Sequence, residues 1–272
     1  MTTTTLPDGR TAQLWLGGAG QGPVVVFLHG CPDTRHAAMT GEAAARAAGV
    51  RLLCVNRPGY GRSTYHASDP GTVADDVVAV LDQIGIGRIG VLAMSIGGGY
   101  GVSLAARHPD RVQVLGLVSA QYRQEPGSVE ETMDAARPDF EAWVATIRPE
   151  DPDDTALAAR WRASLPEQDA ALLADTPDAE VAAAAREALA QHEGFLRDAA
   201  LAFRPWPHLP EDVRCPAYAW SGELDGNAPA ADTARLASRL GAQHFVRPGT
   251  THLAALLGHW PDLLATLRPH LD

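Results

Sequence analysis

The sequence contains no lysine, all 22 of its basic residues being arginine. That absence removes Schiff-base, P-loop and carbamylated-lysine chemistry from the chain's repertoire. Cysteine is scarce too: Cys31, Cys54 and Cys215 are odd in number and far apart, which fits neither a disulfide framework nor paired metal-ligand spacing. A reducing compartment is the simplest context for them. No apolar run approaches the roughly 18 residues that span a bilayer. The start, Met1-Thr2-Thr3-Thr4-Thr5, lacks the charged and apolar regions of a signal peptide, so a cytoplasmic protein is expected. Positive charge is in deficit, because 33 acidic residues leave a formal net charge of -11, the wrong sign for neutralising phosphates or anionic lipid. A small-molecule substrate is expected rather than a nucleic acid or membrane partner, and a homo-oligomer stays open.

What is present suffices for one sizeable core, since 46% of the 272 residues are apolar. Thr2 to Leu6 and Thr11 to Leu16 flank the turn Leu6-Pro7-Asp8-Gly9 and read as a hairpin. Short apolar runs follow at Val24 to Leu28, Arg51 to Val55, Ile89 to Met94 and Val112 to Ser119, and runs of this kind are buried on both faces in a parallel sheet. Between them, His36 to Ala48, Thr72 to Ile84 and Gly97 to His108 have helical spacing and supply crossovers. This alternation is the α/β class.

The rhythm stops after Ser119. The next ninety or so residues carry no strand-like run but many Ala, Glu, Asp and Arg residues punctuated by proline, which reads as a helical insertion with its clearest helix at Val181 to Phe203, broken at Gly194. The acidic excess sits here: residues 124–214 carry a net charge of -12, and the rest of the chain +1. Surface solubility is the simplest role for that charge. Strands resume at Ala217 to Ser221 and Gln243 to Val246, with helices at Ala230 to Leu240 and His252 to Leu267.

The chemistry centres on Ser95, placed between the strand Ile89 to Met94 and the helix that opens at Gly97. A tight strand-to-helix turn requires small residues two before and two after the serine, and Ala93 and Gly97 meet that requirement. A helix N-terminus also aims free N–H groups at any oxyanion formed there. An activated serine needs a base, and the base an orienting carboxylate. Asp225 and His252 follow the last two strands, so that all three residues lie beyond the C-terminal ends of strands, where parallel sheets place their sites. Glu223 is the competing acid. His29, His244, His259 and His270 read as bracing, packing or surface residues, and no histidine has metal-ligand spacing. Gly97-Gly98-Gly99-Tyr100-Gly101 lacks the acidic residue that a dinucleotide loop needs after the next strand, so neither a cofactor nor a metal is expected. Trp143, Trp161, Phe195 and Trp206 read as packing within the insertion.

With these residues in view, the chain resembles the α/β-hydrolase fold superfamily over almost its full length. The resemblance rests on Leu28-His29-Gly30-Cys31-Pro32, the turn Asn56-Arg57-Pro58-Gly59-Tyr60-Gly61-Arg62-Ser63, the elbow at Ser95 and the Asp225 and His252 loops. It implies a mostly parallel sheet flanked by helices, with a helical cap at 121–212 inserted after the sixth strand between core segments 1–120 and 213–272. It implies Ser95 as nucleophile, His252 as general base and then acid, Asp225 as the orienting acid, and the backbone N–H groups of Cys31 and Ile96 as the oxyanion hole. Two positions depart from the family's usual pattern: Asn56, where Asp is usual, and Ala93, where Gly is usual. The implied activity is a cofactor-free serine hydrolase acting on esters, a carboxylesterase in the first instance. An aminopeptidase similar to the proline iminopeptidases and a non-catalytic ligand receptor are the alternatives. Epoxide hydrolase and haloalkane dehalogenase chemistry need a carboxylate at the elbow, where this chain has Ser95.

Overall fold

A computed structural model describes residues 2–272. Eight strands form one sheet: β1 (Thr2–Thr5), β2 (Thr11–Gly18), β3 (Val24–Leu28), β4 (Arg51–Val55), β5 (Ile89–Met94), β6 (Val112–Val118), β7 (Ala217–Gly222) and β8 (Gln243–Arg247). Their order is β1-β2-β4-β3-β5-β6-β7-β8, antiparallel at β1, β2 and β4 and parallel from there on.

The sheet is buried on both faces because its central strands β3 and β5 are apolar at every position. In β3, Val24, Val26 and Leu28 face one cluster while Val25 and Phe27 face the other, the two-residue alternation of a pleated strand. One face is covered by α3 (Pro70–Gln83), α4 (Gly97–Arg107) and α10 (Ala230–Leu240), the other by α1 (Arg35–Met39), α2 (Glu42–Ala47) and α12 (Trp260–Leu267). Helix α3 starts at Pro70, two residues before the expected Thr72, the Asp69 carboxylate accepting from the Thr72 N–H at 2.8 Å.

Two segments expected as single helices are interrupted, and a third breaks at a different place from the one expected. His36 to Ala48 is α1 and α2, parted at Thr40-Gly41, where Trp260 lies so close that a Cβ on Gly41 would sit 2.5 Å from its ring. The indole N–H also donates to the Thr40 hydroxyl oxygen at 2.8 Å. The segment after His252 is α11 (Ala254–Leu257) and α12, parted at Gly258-His259. Val181 to Phe203 divides at 189–191 into α8 (Asp178–Ala188) and α9 (His192–Leu201), whereas Gly194 lies inside α9. A Cβ on Gly194 would meet the Gly59 carbonyl at 2.4 Å, so the glycine serves close approach and not helix breaking.

Between β6 and β7 the chain forms α5 (Val129–Ile147), α6 (Asp154–Ala163), α7 (Glu167–Ala171), α8 and α9, with an apolar cluster of their own. Phe140 stacks on Phe195 at 4.0 Å, and Trp143 and Trp161 complete that cluster. Trp206 packs elsewhere, under α4, where it meets Tyr122 edge-on at 4.8 Å. Among the described residues no helix is long and apolar enough to cross a membrane.

Candidate active site

Ser95 has φ of 55° between β5 and α4, a left-handed conformation that costs a side-chain-bearing residue roughly 1–2 kcal/mol. The turn is held from both sides, the Ser95 N–H donating to the Val118 carbonyl and the Ser95 carbonyl accepting from the Gly98 N–H. Its small neighbours are a steric necessity. A Cβ on Gly97 would stand 2.3 Å from the Leu28 carbonyl oxygen, and one on Gly101 would stand 3.0 Å from the Ala93 methyl. The glycines of Gly97-Gly98-Gly99 thus bring α4 against β3, Ala120 and Trp206.

Asp225 and His252 meet because two loops interlock. A Cβ on Gly222 would lie 2.2 Å from the Thr250 carbonyl, so only glycine lets the chain after β7 run this close to the chain after β8. The Asp225 carboxylate is fixed by the N–H groups of Asn227 and Ala228 and receives the His252 Nδ1–H at 2.8 Å. Burial pushes the Asp225 carboxyl up, but the hydrogen bonds from His252 and Ala228 outweigh it and hold the group below its ordinary value. Glu223 is occupied elsewhere, accepting from the Gly249 N–H at 2.8 Å. His252 Nε2 and Ser95 Oγ take no hydrogen-bond partner among the described residues.

Next to Ser95 lies the loop after β3. Gly30 is so near that a Cβ there would be 3.6 Å from the Ser95 Cβ. Neither the Cys31 N–H nor the Ile96 N–H has an acceptor among the described residues. Two unused donors flanking a buried serine are what an oxyanion site requires. The Cys31 thiol is held un-ionised, burial raising its pKa far above the ordinary value. His29 is sealed in the core and remains neutral, burial lowering its pKa well below the ordinary value. Its Nε2 accepts the Arg57 N–H, which leaves Nδ1 protonated to donate to the Gly30 carbonyl at 2.9 Å.

Two carboxylates that the sequence did not single out reach this region from the helices between β6 and β7. Asp198, on α9, accepts from Arg57 Nε and Nη2 at 3.0 and 2.5 Å and from the hydroxyls of Tyr60 and Tyr100 at 2.7 and 2.6 Å. Glu187, on α8, takes Arg35 Nη2 at 2.7 Å and Asn56 Nδ2 at 2.8 Å. Burial pushes the Glu187 carboxyl up, yet its hydrogen bonds to His36, Arg35 and Asn56 bring it far below the ordinary value. The Asn56 departure has its reason here, because an aspartate would face the Glu187 carboxylate. Among the described residues no cluster of His, Cys, Asp and Glu has the form of a metal site.

Comparison with known proteins identifies the fold. A family model described as alpha/beta hydrolase fold matches residues 23–258. An epoxide hydrolase from Caballeronia sordidicola is 28% identical over 137 residues, covering 48% of this chain and 42% of that protein. The matching stretches span less than half the length of the curated relatives. A thermophilic esterase from Thermogutta terrifontis has a similar structure over 100% of both chains, with a TM-score of 0.73 at 19% identity. An enol-lactonase from Burkholderia xenovorans LB400 is similar over 99% of both chains, with a TM-score of 0.70 at 21% identity. The chain belongs to the α/β-hydrolase fold family.

Proposed function

We propose that the protein is a cofactor-independent serine hydrolase that cleaves an ester or related acyl bond of a small molecule, with the helices of 121–212 capping the site. The observation that carries this reading is the strained Ser95 flanked by the unused N–H groups of Cys31 and Ile96. His252 takes the Ser95 proton as the hydroxyl attacks the acyl carbon, and the Asp225 carboxylate stabilises the resulting imidazolium. The oxyanion of the tetrahedral intermediate is received by the two N–H groups. Its collapse expels the alcohol, protonated by His252, and leaves an acyl group on Ser95. Water, deprotonated by His252, then attacks the acyl-enzyme, and a carboxylic acid departs.

Epoxide hydrolases are among the relatives, but their chemistry needs a carboxylate at the elbow, where Ser95 stands. A second reading, an aminopeptidase similar to the proline iminopeptidases, has one observation in its favour. Asp169 on α7 is buried, accepts from the Thr251 hydroxyl beside His252, and has no cationic partner within 4.0 Å among the described residues. A substrate ammonium suits such a carboxylate.

Short p-nitrophenyl esters test the main reading: the parent hydrolyses them, and Ser95→Ala loses turnover while staying folded. Unchanged hydrolysis by the folded variant removes Ser95 as the nucleophile. Prolyl-p-nitroanilide turned over faster than p-nitrophenyl butyrate decides for the aminopeptidase.

A further inference from the structure

We infer that Asp198, acting from the cap through Arg57, is a positioning residue that aims and polarises the oxyanion-binding N–H of Cys31. The inference rests on the serine-hydrolase reading and assigns a role to two residues that this reading leaves unused.

The Gly30–Cys31 peptide is trans, the one cis bond among the described residues being the next along, so its carbonyl and its N–H point in opposite directions. The carbonyl is held by two donors, Arg57 Nη2 at 2.8 Å and His29 Nδ1 at 2.9 Å. Arg57 Nη1 donates to the preceding carbonyl, that of His29, at 2.5 Å. Fixing the carbonyl on one side fixes the direction of the Cys31 N–H on the other. A cationic donor on the carbonyl also draws electron density through the amide and makes its N–H a stronger donor, as in any hydrogen-bonded chain at low dielectric.

Arg57 is 2% exposed, and a buried guanidinium persists only with a matched counter-ion. Asp198 supplies it and is itself saturated by Arg57, Tyr60 and Tyr100. Arg57 belongs to the core and Asp198 to a helix 141 residues later. The oxyanion site is therefore complete only when α9 is docked, and catalytic competence is coupled to the seating of the cap.

The test compares Asp198→Asn and Arg57→Lys with the parent and with Arg46→Ala, which removes an exposed arginine on α2 that pairs only with Glu42. Each is assayed for kcat and KM on a p-nitrophenyl ester, for inhibition by a trifluoromethyl ketone, and for its urea midpoint. A misaimed donor costs less than a deleted one, so kcat should fall about 10–100-fold in Asp198→Asn and Arg57→Lys. KM should stay within about threefold, the ketone should weaken in parallel with kcat, and Arg46→Ala should match the parent. An unchanged kcat in a folded Asp198→Asn or Arg57→Lys overturns the inference. So does a loss shared by kcat and KM that follows the urea midpoint, since that is the mark of a structural role alone. If Asp198→Asn does not fold, Arg57→Lys carries the decision. A parent without esterase activity or fluorophosphonate labelling refutes the serine-hydrolase reading itself and this inference with it, a result distinct from an active parent whose variants are unaffected.

Discussion

Replacing Asn56 by the family's usual aspartate should destabilise this protein, and by an amount that depends on pH. Asn56 is 1% exposed, donates Nδ2 to Glu187 at 2.8 Å and to Gln13 at 3.2 Å, and accepts the Arg35 N–H at 2.7 Å. Asn56→Asp keeps the acceptor, deletes both donors and sets a carboxylate about 3 Å from another. At an effective dielectric of about 20, two charges at that distance repel by about 5–6 kcal/mol. The new carboxyl escapes by keeping its proton, which from an unfolded pKa of about 3.9 costs about 4 kcal/mol at pH 7 and about 1.5 at pH 5. The sign follows from that raised pKa: the folded variant binds a proton that the unfolded chain has released, so the deficit grows as pH rises and shrinks towards pH 4. Urea unfolding followed by tryptophan fluorescence at pH 7 and pH 5 measures both, and a cycle with Glu187→Gln isolates the pair. A variant as stable as the parent at pH 7, or one whose deficit does not shrink on acidification, would falsify the explanation of Asn56.

Other expectations concern the elbow and the loop beside it. Gly97→Ala places a methyl against two backbone carbonyls that cannot swing away, so it should cost about 1–3 kcal/mol or more in stability. It should also lower kcat/KM far more than an alanine at the open Gly87, as steady-state kinetics and thermal melts will show. Asp33 is partly buried, and burial raises its pKa from 3.8 to about 6. The folded state therefore loses stability as pH rises through that window, and Asp33→Asn should gain about 1–2 kcal/mol at pH 7–8 after discounting for its residual exposure. Below pH 4 the two proteins should have equal urea midpoints. A gain that persists there means that the charge is not the cause.

The sheet was legible because its central strands are buried on both faces, which forces unbroken apolar runs such as Val24 to Leu28 and Ile89 to Met94. Helix interruptions were not, since they depend on distant partners: Trp260 parts α1 from α2 across about 220 residues of chain. Gly194 was misread for the same reason, its neighbour being Gly59. Ser95, Asp225 and His252 stood out because each follows a strand and carries a reactive side chain. Asp198 and Glu187 did not. They sat unmarked among the 20 carboxylates of residues 124–214, and their partners Arg57 and Arg35 lie 141 and 152 residues away. The acidic excess of that segment thus includes at least two groups that act as counter-ions to core arginines, the buried Asp198 and the partly buried Glu187.

The central claim, a serine nucleophile at the elbow, is tested most directly by reacting the protein with a fluorophosphonate and locating the adduct by peptide mass spectrometry. The prediction is a single phosphonylated site on the peptide containing Ser95, lost in Ser95→Ala and slowed in His252→Ala. An adduct on another residue, or equal labelling of Ser95→Ala, contradicts it.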